Sequence, residues 1–180
     1  MSLIIRPLAP SDEAAFFEGM KLWSEKDLGW YTFSWKPGRP YQEMLTILED
    51  ETYGRNMAPG RVPHTMLYAF LDGKIIGRVS IRHELNDFLL RRGGHIGYSV
   101  AEAYRRKGYA TALMQEGMNY CKSLGLSEIL VTCDDLNTPS WKIIEKFNAR
   151  LENKIVDEAE KKTIRRYWVK IDIATNSFKV

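Results

Sequence analysis

The chain is poor in cysteine and has no long hydrophobic run, and each shortage excludes a class of protein. Its two cysteines, Cys121 and Cys133, do not form the framework of a disulfide-stabilised secreted domain, and a reducing cytoplasm suits them best. No apolar segment approaches the ~20 residues that cross a bilayer. The N-terminus also lacks the apolar core of a secretory signal. We therefore expect a cytoplasmic protein with no membrane partner.

Neither acidic nor basic residues dominate the chain. The net charge of +3 is too small to indicate a nucleic-acid partner, and the sequence shows no extended basic face. We therefore expect no nucleic-acid partner. The histidines and cysteines never fall at the spacing of zinc ligand pairs, so no metal is predicted. With 44% hydrophobic and 27% charged residues in 180, the chain reads as a single globular domain over residues 1–180.

The first half of the chain alternates short elements with loops. The pattern predicts, in order, a strand over Leu3 to Leu8, a helix from Ser11 to about Lys26, a loop from Asp27 to Pro40 and a helix from Tyr41 to Thr52. Two apolar runs, 65–71 and 74–81, then flank Asp72-Gly73. This dipeptide between two apolar runs predicts an antiparallel hairpin.

The second half predicts a strand, a helix and a strand, followed by a closing pair. The elements are a strand from His95 to Val100, a helix from about Gly108 to Gly125, a strand from Glu128 to Cys133, a short helix from Pro139 to Phe147 capped by Asn137 or Thr138, and antiparallel strands over Arg150 to Val156 and Thr163 to Ile173. The first three form a right-handed βαβ unit whose second strand is apolar, as buried parallel strands are.

A basic turn before the long helix is the most informative segment. Arg105, Arg106, Lys107 and Gly108 lie between the end of a strand and the start of a helix. The first N–H groups of a helix have no internal partner and carry partial positive charge, and Gly108 lets backbone approach a ligand closely. The turn therefore predicts a site for a phosphorylated ligand. A solvated basic cluster is the alternative, and the turn matches neither a Walker loop nor a G-x-G-x-x-G fingerprint.

Two segments, in order and with the βαβ unit between them, carry a family resemblance. Arg105-Arg106-Lys107-Gly108-Tyr109-Ala110 resembles the Arg/Gln-x-x-Gly-x-Gly/Ala signature of the GNAT superfamily of acyl-CoA N-acyltransferases. The segment from Asn137 to Phe147 is similar to the Asn-x-x-Ser part of its second motif. The resemblance covers roughly Thr65 to Val156, and Gly93 to Ser99, with its Gly-His-Ile-Gly-Tyr run, resembles a small, poorly characterised branch of that superfamily.

The resemblance implies a fold and an activity. The fold would be α/β (α+β), with a mixed, mostly antiparallel central sheet, one βαβ unit and helices on both faces. Its two parallel strands would splay apart to admit acetyl-CoA. The activity would be direct transfer of the acetyl group to a primary amine through a tetrahedral intermediate. The acceptor would be a small-molecule or peptide amine, and a homodimer is compatible with the sequence.

The resemblance also implies which residues bind acetyl-CoA. Backbone amides from Arg106 to Ala110 would hold the pyrophosphate, helped by nearby basic side chains and Thr111. Ser99 and Val100 would pair with the pantetheine arm as an added strand, and an N–H there would polarise the thioester carbonyl. The implied set is Ser99, Val100, Arg105, Arg106, Lys107, Gly108, Tyr109, Ala110, Thr111, Asn137 and Ser140.

The general acid departs from the family pattern. Many members place a tyrosine seven residues after the asparagine, and this chain has Ile144 there. The hydroxyl of Ser140, the hydroxyl of Tyr98 or a bound water would have to substitute. The missing acid also supports an alternative function, a non-catalytic acyl-CoA-binding or regulatory module.

The general base is left open among four residues: His83, Glu84, His95 and Asp134. Histidine titrates near neutral pH, which favours the two histidines, and His83 joins Ser140 and Tyr98 as our catalytic candidates. Each of the four also has a structural interpretation as a strand-end or turn residue.

An aromatic segment is the candidate acceptor wall. Its rings are those of Trp30, Tyr31, Phe33 and Trp35. They could equally cover the core where the first two helices cross.

Overall fold

The computed structural model describes residues 2–172. In this range the elements are β1 (Leu3–Arg6), α1 (Glu13–Met20), α2 (Glu25–Thr32), α3 (Tyr41–Thr52), β2 (His64–Leu71), β3 (Lys74–Arg82), α4 (Asp87–Arg91), β4 (Ile96–Val100), α5 (Tyr109–Ser123), β5 (Glu128–Asp134), α6 (Thr138–Glu145), β6 (Arg150–Asp157) and β7 (Lys162–Lys170). The predicted end of the last strand, Ile173, lies outside the described residues. None of the helices in this range has the length and hydropathy needed to cross a membrane.

The strands form two antiparallel sheets, in the orders β1-β2-β3-β4 and β5-β7-β6. The predicted hairpin joins β2 to β3, and both turn residues have positive φ, 47° at Asp72 and 81° at Gly73. Such angles at both central positions define the type I′ turn that suits twisted strands. The hairpin prediction and the predicted α/β (α+β) fold class are confirmed.

Helices cover both faces of the first sheet because the side chains of β2 alternate between them. Leu67 and Ala69 belong to one core with Leu113 of α5. The intervening Tyr68 belongs to a second core with Phe16 of α1. The prediction of helices on both faces is therefore confirmed, with α5 on one side and α1 to α3 on the other.

The predicted βαβ unit differs in one respect, because β4 and β5 do not form a ladder in the described residues. They touch where the His95 N–H donates to the Leu130 carbonyl at 2.7 Å. Beside this contact, a Cβ on Gly94 would collide with the same carbonyl, which explains a glycine there. The ladder of β5 is antiparallel to β7; the resemblance implied two strands that splay apart, and β4 and β5 do so. A groove separates β4 from β5 beyond the contact.

The first helical region also differs from the prediction, because the expected loop over residues 27–40 begins as helix α2. Ser24 is extended at the N-cap, and Glu25 and Asp27 lie in the first turn, where acids suit the helix dipole. Tyr31 of this helix is fully buried, and its hydroxyl donates to the Phe16 carbonyl at 2.8 Å. Burial of this ring outweighs the ~1 kcal/mol that a glycine costs inside a helix.

Candidate active site

The groove between β4 and β5 has a volume of about 1020 Å³. Its walls come from β4, β5, the start of α5 and the start of α6, so it lies where the two sheets part. Among the residues predicted to bind the acyl donor or to act in catalysis, those that line it are Tyr98, Ser99, Val100, Arg105, Arg106, Gly108, Ala110, Thr111, Asn137 and Ser140. Lys107, Tyr109 and His83 do not line it.

The turn before α5 presents a set of free backbone donors to the groove. The N–H groups of Arg106, Lys107 and Gly108 have no acceptor within residues 2–172. The first bond of the helix runs from the Ala112 N–H to the Gly108 carbonyl at 3.1 Å, which leaves the amides before it without an internal partner. Successive N–H groups of this kind form a concave anion site, and the turn therefore fits a diphosphate.

Gly108 makes that arrangement accessible. It is the N-cap of α5 with φ of 87° and ψ of −9°, a conformation that favours glycine. A Cβ built on it meets no heavy atom within 4 Å. The space beside the backbone is therefore open, and a ligand can approach it closely.

The basic side chains of the turn are partly occupied with the protein itself. Arg105 donates through Nε to the Val100 carbonyl at 3.0 Å and through Nη2 to Asp27 at 3.2 Å. The Nζ of Lys107 donates to the Ala103 carbonyl at 3.1 Å. Arg106 makes no side-chain hydrogen bond or ion pair with any residue that the structure describes. The free donors at this site are therefore the backbone amides and the guanidinium of Arg106.

The register of β4 determines which backbone groups face the groove. The Ala101 N–H donates to the Ile76 carbonyl, and alternation along an antiparallel pair then directs the backbone of Ser99 to Arg78 on β3. The same alternation turns the N–H and C=O groups of Tyr98 and Val100 away from β3, towards the groove. Of the predicted pair Ser99 and Val100, only Val100 therefore directs its backbone towards the groove, where its N–H is free for an added strand while its carbonyl accepts from Arg105 Nε.

A hydroxyl pair connects β4 with α6. The Tyr98 hydroxyl lies 3.2 Å from Ser140 Oγ and 3.3 Å from the Ser140 carbonyl oxygen. Burial raises the pKa of Tyr98 to about 12, so the phenol keeps its proton at neutral pH. The structure thus brings the two hydroxyl candidates for the acid together in the groove.

The start of α6 holds Ser140 in this position. Asn137 is the N-cap, and its Oδ1 accepts from the Ser140 N–H at 3.3 Å. Pro139 stands in the first turn, as the sequence predicts. Ile144 is fully buried in the core, whereas its neighbour Ile143 lines the groove. Position 144 therefore contributes packing rather than a group to the groove.

Of the four base candidates, only Asp134 lines the groove, where it pairs with Lys162 at 3.6 Å. His83 lies elsewhere: its Nε2 is 2.9 Å from Thr65 Oγ1, its ring packs near Tyr120, and burial lowers its pKa. Glu84 is exposed outside the groove.

His95, the fourth candidate, is tied to the contact between the sheets. Its Nδ1 accepts from the Leu130 N–H at 3.0 Å, which requires the neutral ring with its proton on Nε2. Burial lowers the pKa of His95 to about 4. The imidazole thus joins the sheets and has no free role as a base.

We expect this histidine to make stability depend on pH. Because its folded pKa of about 4 lies below the unfolded value near 6.5, its contribution is complete above pH 6.5 and is lost as the pH falls through about 4. The free energy of unfolding should fall by up to about 3 kcal/mol over this range. Urea unfolding between pH 8 and 4 measures it. His95→Gln, which does not titrate, should show a smaller fall, and equal falls in the two proteins would contradict the assignment.

Several groove residues were not identified from the sequence. Arg82, Arg92 and Lys162 line the groove, and the alternation of Arg78, Ser80 and Arg82 along an apolar strand was the available signal. The aromatic segment divides between the groove and the core. Trp30 lines the groove and is 53% exposed, whereas Tyr31 lies in the core with Phe33 and Trp35 packed nearby. Within residues 2–172 no cluster of three or more His, Cys, Asp or Glu side chains could hold a metal ion.

Comparison with known proteins assigns the chain to a family. Residues 2–150 match the model described as "Acetyltransferase (GNAT) domain". The ribosomal-protein-S5-alanine acetyltransferase of Vibrio fischeri has a similar structure, with a TM-score of 0.67, 17% identity and coverage of 96% of this chain and 94% of that chain. No curated protein sequence matches significantly.

Two further solved structures share the fold. A Salmonella typhimurium protein, solved with its cofactor acetyl-CoA, has a TM-score of 0.62 and 13% identity over 96% of this chain and 95% of that chain. A chimera of Vibrio cholerae spermidine N-acetyltransferase has a TM-score of 0.61 and 16% identity over 94% of this chain and 96% of that chain. At these identities the likeness shows the fold alone.

Proposed function

Because the chain belongs to the GNAT family of acetyltransferases, whose members use acetyl-CoA, we propose that it acetylates a primary amine of a small molecule or peptide by direct transfer. Acetyl-CoA supplies the acyl group, activated as a thioester. The observation that carries the proposal is the row of free amides at the start of α5, beside an open Gly108. Such a row suits the diphosphate of a nucleotide-derived donor.

The unpaired edge of β4 would hold the donor arm next to this turn. Tyr98 and Val100 direct backbone groups into the groove, where an extended chain can pair with them as a strand does. A free N–H on this edge also suits a developing oxyanion, because a fixed donor needs no reorganisation during reaction.

Direct transfer is supported by the state of the groove cysteine. Cys133 lines the groove, but burial raises its pKa to about 11, so near neutral pH it is a thiol rather than a nucleophilic thiolate. In the balanced reaction the amine nitrogen bonds to the acyl carbon as the carbon–sulfur bond breaks. One proton leaves the nitrogen and one reaches the sulfur.

Asp134 and the hydroxyl pair of Tyr98 and Ser140 would handle these protons. Asp134 is the base candidate that lines the groove, and we assign it the proton from the amine. The Tyr98 hydroxyl retains its proton and bonds to Ser140. We therefore assign this pair the proton that reaches the sulfur, which the Tyr98 hydroxyl would donate as the thiolate leaves.

The proposal is tested by measuring free thiol released from acetyl-CoA with a panel of primary amines, alongside calorimetric titration of coenzyme A. Amine-dependent thiol release, with the acetylated amine detected by mass spectrometry, is the expected result. Tight coenzyme A binding without turnover on any amine would contradict catalysis and favour the acyl-CoA-binding module.

We expect Asn137→Ala to raise the KM for acetyl-CoA about 3–10-fold while the KM for the amine stays constant. The substitution removes the oxygen that holds the Ser140 N–H, and loss of a helix cap costs ~1 kcal/mol. Steady-state kinetics with each substrate varied in turn provides the measurement. Asn86→Ala is the matched control, since Asn86 caps α4 through the Leu89 N–H at 2.9 Å outside the groove. A change confined to the amine KM would show that Asn137 is misplaced here.

A further inference from the structure

Strand β3 carries two arginines on the face opposite α5, and neither has an acidic partner among residues 2–172. Arg78 is 1% exposed, and Arg82 is partly buried in the groove wall. No carboxylate lies within ion-pair distance of either guanidinium. Burial lowers the pKa of both to about 10. A buried cation without a counter-ion is costly, so each needs a separate explanation.

Aromatic rings account for Arg78. Its guanidinium carbon lies 5.1 Å from the ring centre of Phe33 and 5.8 Å from that of Trp30. Contacts of this kind stabilise a desolvated cation. Nη1 also contacts the Met66 sulfur at 3.3 Å. Arg78 is thus enclosed by the protein and does not line the groove, although its Nε has no acceptor within residues 2–172.

Arg82 has no such enclosure. Its Nη1 donates to the Gly93 carbonyl at 3.3 Å. Nε and Nη2 have no acceptor in the part of the chain that the structure describes. These two donors share one edge of the guanidinium, and that edge matches the two oxygens of a carboxylate. Arg82 is therefore held through Nη1 alone. Its free Nε and Nη2 donors form the edge that we call the fork.

The fork lies close to the proposed chemistry. A Cβ on Gly97 of β4 would come within 3.0 Å of Arg82 Nη1, so the guanidinium packs on the residue that precedes Tyr98. The site is distinct from the turn before α5, because Arg82 is opposite His95 while Gly77 is opposite Val100. Five residues of strand separate these positions by about 17 Å.

The neighbouring cations of the groove are already neutralised. Arg92 pairs with Asp157 and with Glu160, each at 2.8 Å. Lys162 pairs with Glu160 at 3.1 Å and with Asp134 at 3.6 Å. A negative group entering this end of the groove would therefore meet its strongest uncompensated attraction at Arg82.

We propose that the acceptor is an amino acid, that is, a primary amine bearing a carboxylate a few bonds from the nitrogen, and that Arg82 binds this carboxylate. The inference rests on the proposed acetyltransferase function and specifies its acceptor. A carboxylate bound at Gly97 leaves its amine next to the groove edge of Tyr98. A polyamine would place a second cation against Arg82 and is disfavoured by repulsion.

The test compares free amino acids with their amides and with spermidine as acceptors, at equal concentrations of neutral amine. We expect the acids to have the higher kcat/KM. Arg82→Gln should raise the KM of the acids ~10–100-fold, the usual effect of losing a hydrogen-bonded ionic partner, and should leave the amides nearly unchanged. Arg82→Lys, which keeps the charge without the fork, should recover only part of the preference. Arg92→Gln is the matched control and should affect acids and amides alike.

Equilibrium binding separates failure of this inference from failure of the enzymatic function. Calorimetric titration of acid and amide into protein saturated with coenzyme A measures the carboxylate site without turnover. Selective binding of the acid that Arg82→Gln removes supports the inference even if no amine is acetylated. Equal or better use of the amides or spermidine, or a preference for acids that survives Arg82→Gln, overturns it and leaves the acetyltransferase function standing. Unchanged coenzyme A affinity shows that the variants are folded.

Discussion

Gly108→Glu is expected to abolish coenzyme A binding, with a loss of affinity above about 100-fold. The glycine adjoins the free amides before α5, and the space beside it is open. A glutamate there would fill the space that a diphosphate needs and would repel it. Hydrogen bonds to a charged group are worth about 1.5–3 kcal/mol each, so losing two suffices for the expected effect. Calorimetric titration with coenzyme A provides the measurement.

The control for this variant is Gly125→Glu. Gly125 lies beyond the other end of α5, has φ of 80° and also faces open space. Both substitutions introduce the same charge and the same left-handed strain of about 1–3 kcal/mol. Urea unfolding should therefore show similar destabilisation, while only Gly108→Glu loses the ligand. Retained binding in Gly108→Glu would remove the basis of the proposed function.

Tyr98→Phe is expected to lower kcat about 100-fold, with little change in coenzyme A affinity. The substitution deletes only the hydroxyl that lies 3.2 Å from Ser140 Oγ. A positioned proton donor typically contributes 10²–10⁴-fold to rate. Because burial raises the pKa of Tyr98 to about 12, the group stays protonated between pH 6 and 9. Tyr98 should therefore produce no inflection in the plot of kcat against pH over that range.

A double-mutant cycle tests whether the two hydroxyls act together. If Tyr98 and Ser140 form one donor unit, Tyr98→Phe combined with Ser140→Ala should be little worse than either single variant. Tyr120→Phe is the control, since the Tyr120 hydroxyl accepts from Thr65 at 2.9 Å away from the groove. Full activity in Tyr98→Phe would exclude the assigned role.

Local signals in the sequence predict much of this fold. The Asp72-Gly73 turn, the apolar stripe of α5 and the cap at Asn137 each depend on neighbouring residues, so they can be read from the chain and are confirmed. Helix α2 was missed because the glycines and prolines between Asp27 and Pro40 indicate a loop, whereas burial of Tyr31 against α1 decides the outcome. That contact is tertiary, and no local pattern encodes it.

The candidate site likewise combines features that local sequence predicts with features that it does not. The turn before α5 is contiguous in sequence, so its amides could be predicted together. The relation of Arg82 to Gly97 and the distance of His83 from the groove depend on strand register and on how the sheets meet. The acceptor side of the groove is assembled from segments that are distant in sequence. Local patterns therefore do not predict which of its side chains lie together.

The division into two sheets affects how the molecule opens and unfolds. Each sheet is built from an uninterrupted stretch of chain, residues 3–100 for the first and 128–170 for the second. The groove therefore exists only while the two halves are docked, and one core shared by Val79 of β3, Leu113 of α5 and Val131 of β5 holds them together. A molecule that spans the groove favours the docked arrangement by mass action, so hydrogen exchange at the His95 and Leu130 amides, which bond across the contact, should slow when the groove is filled.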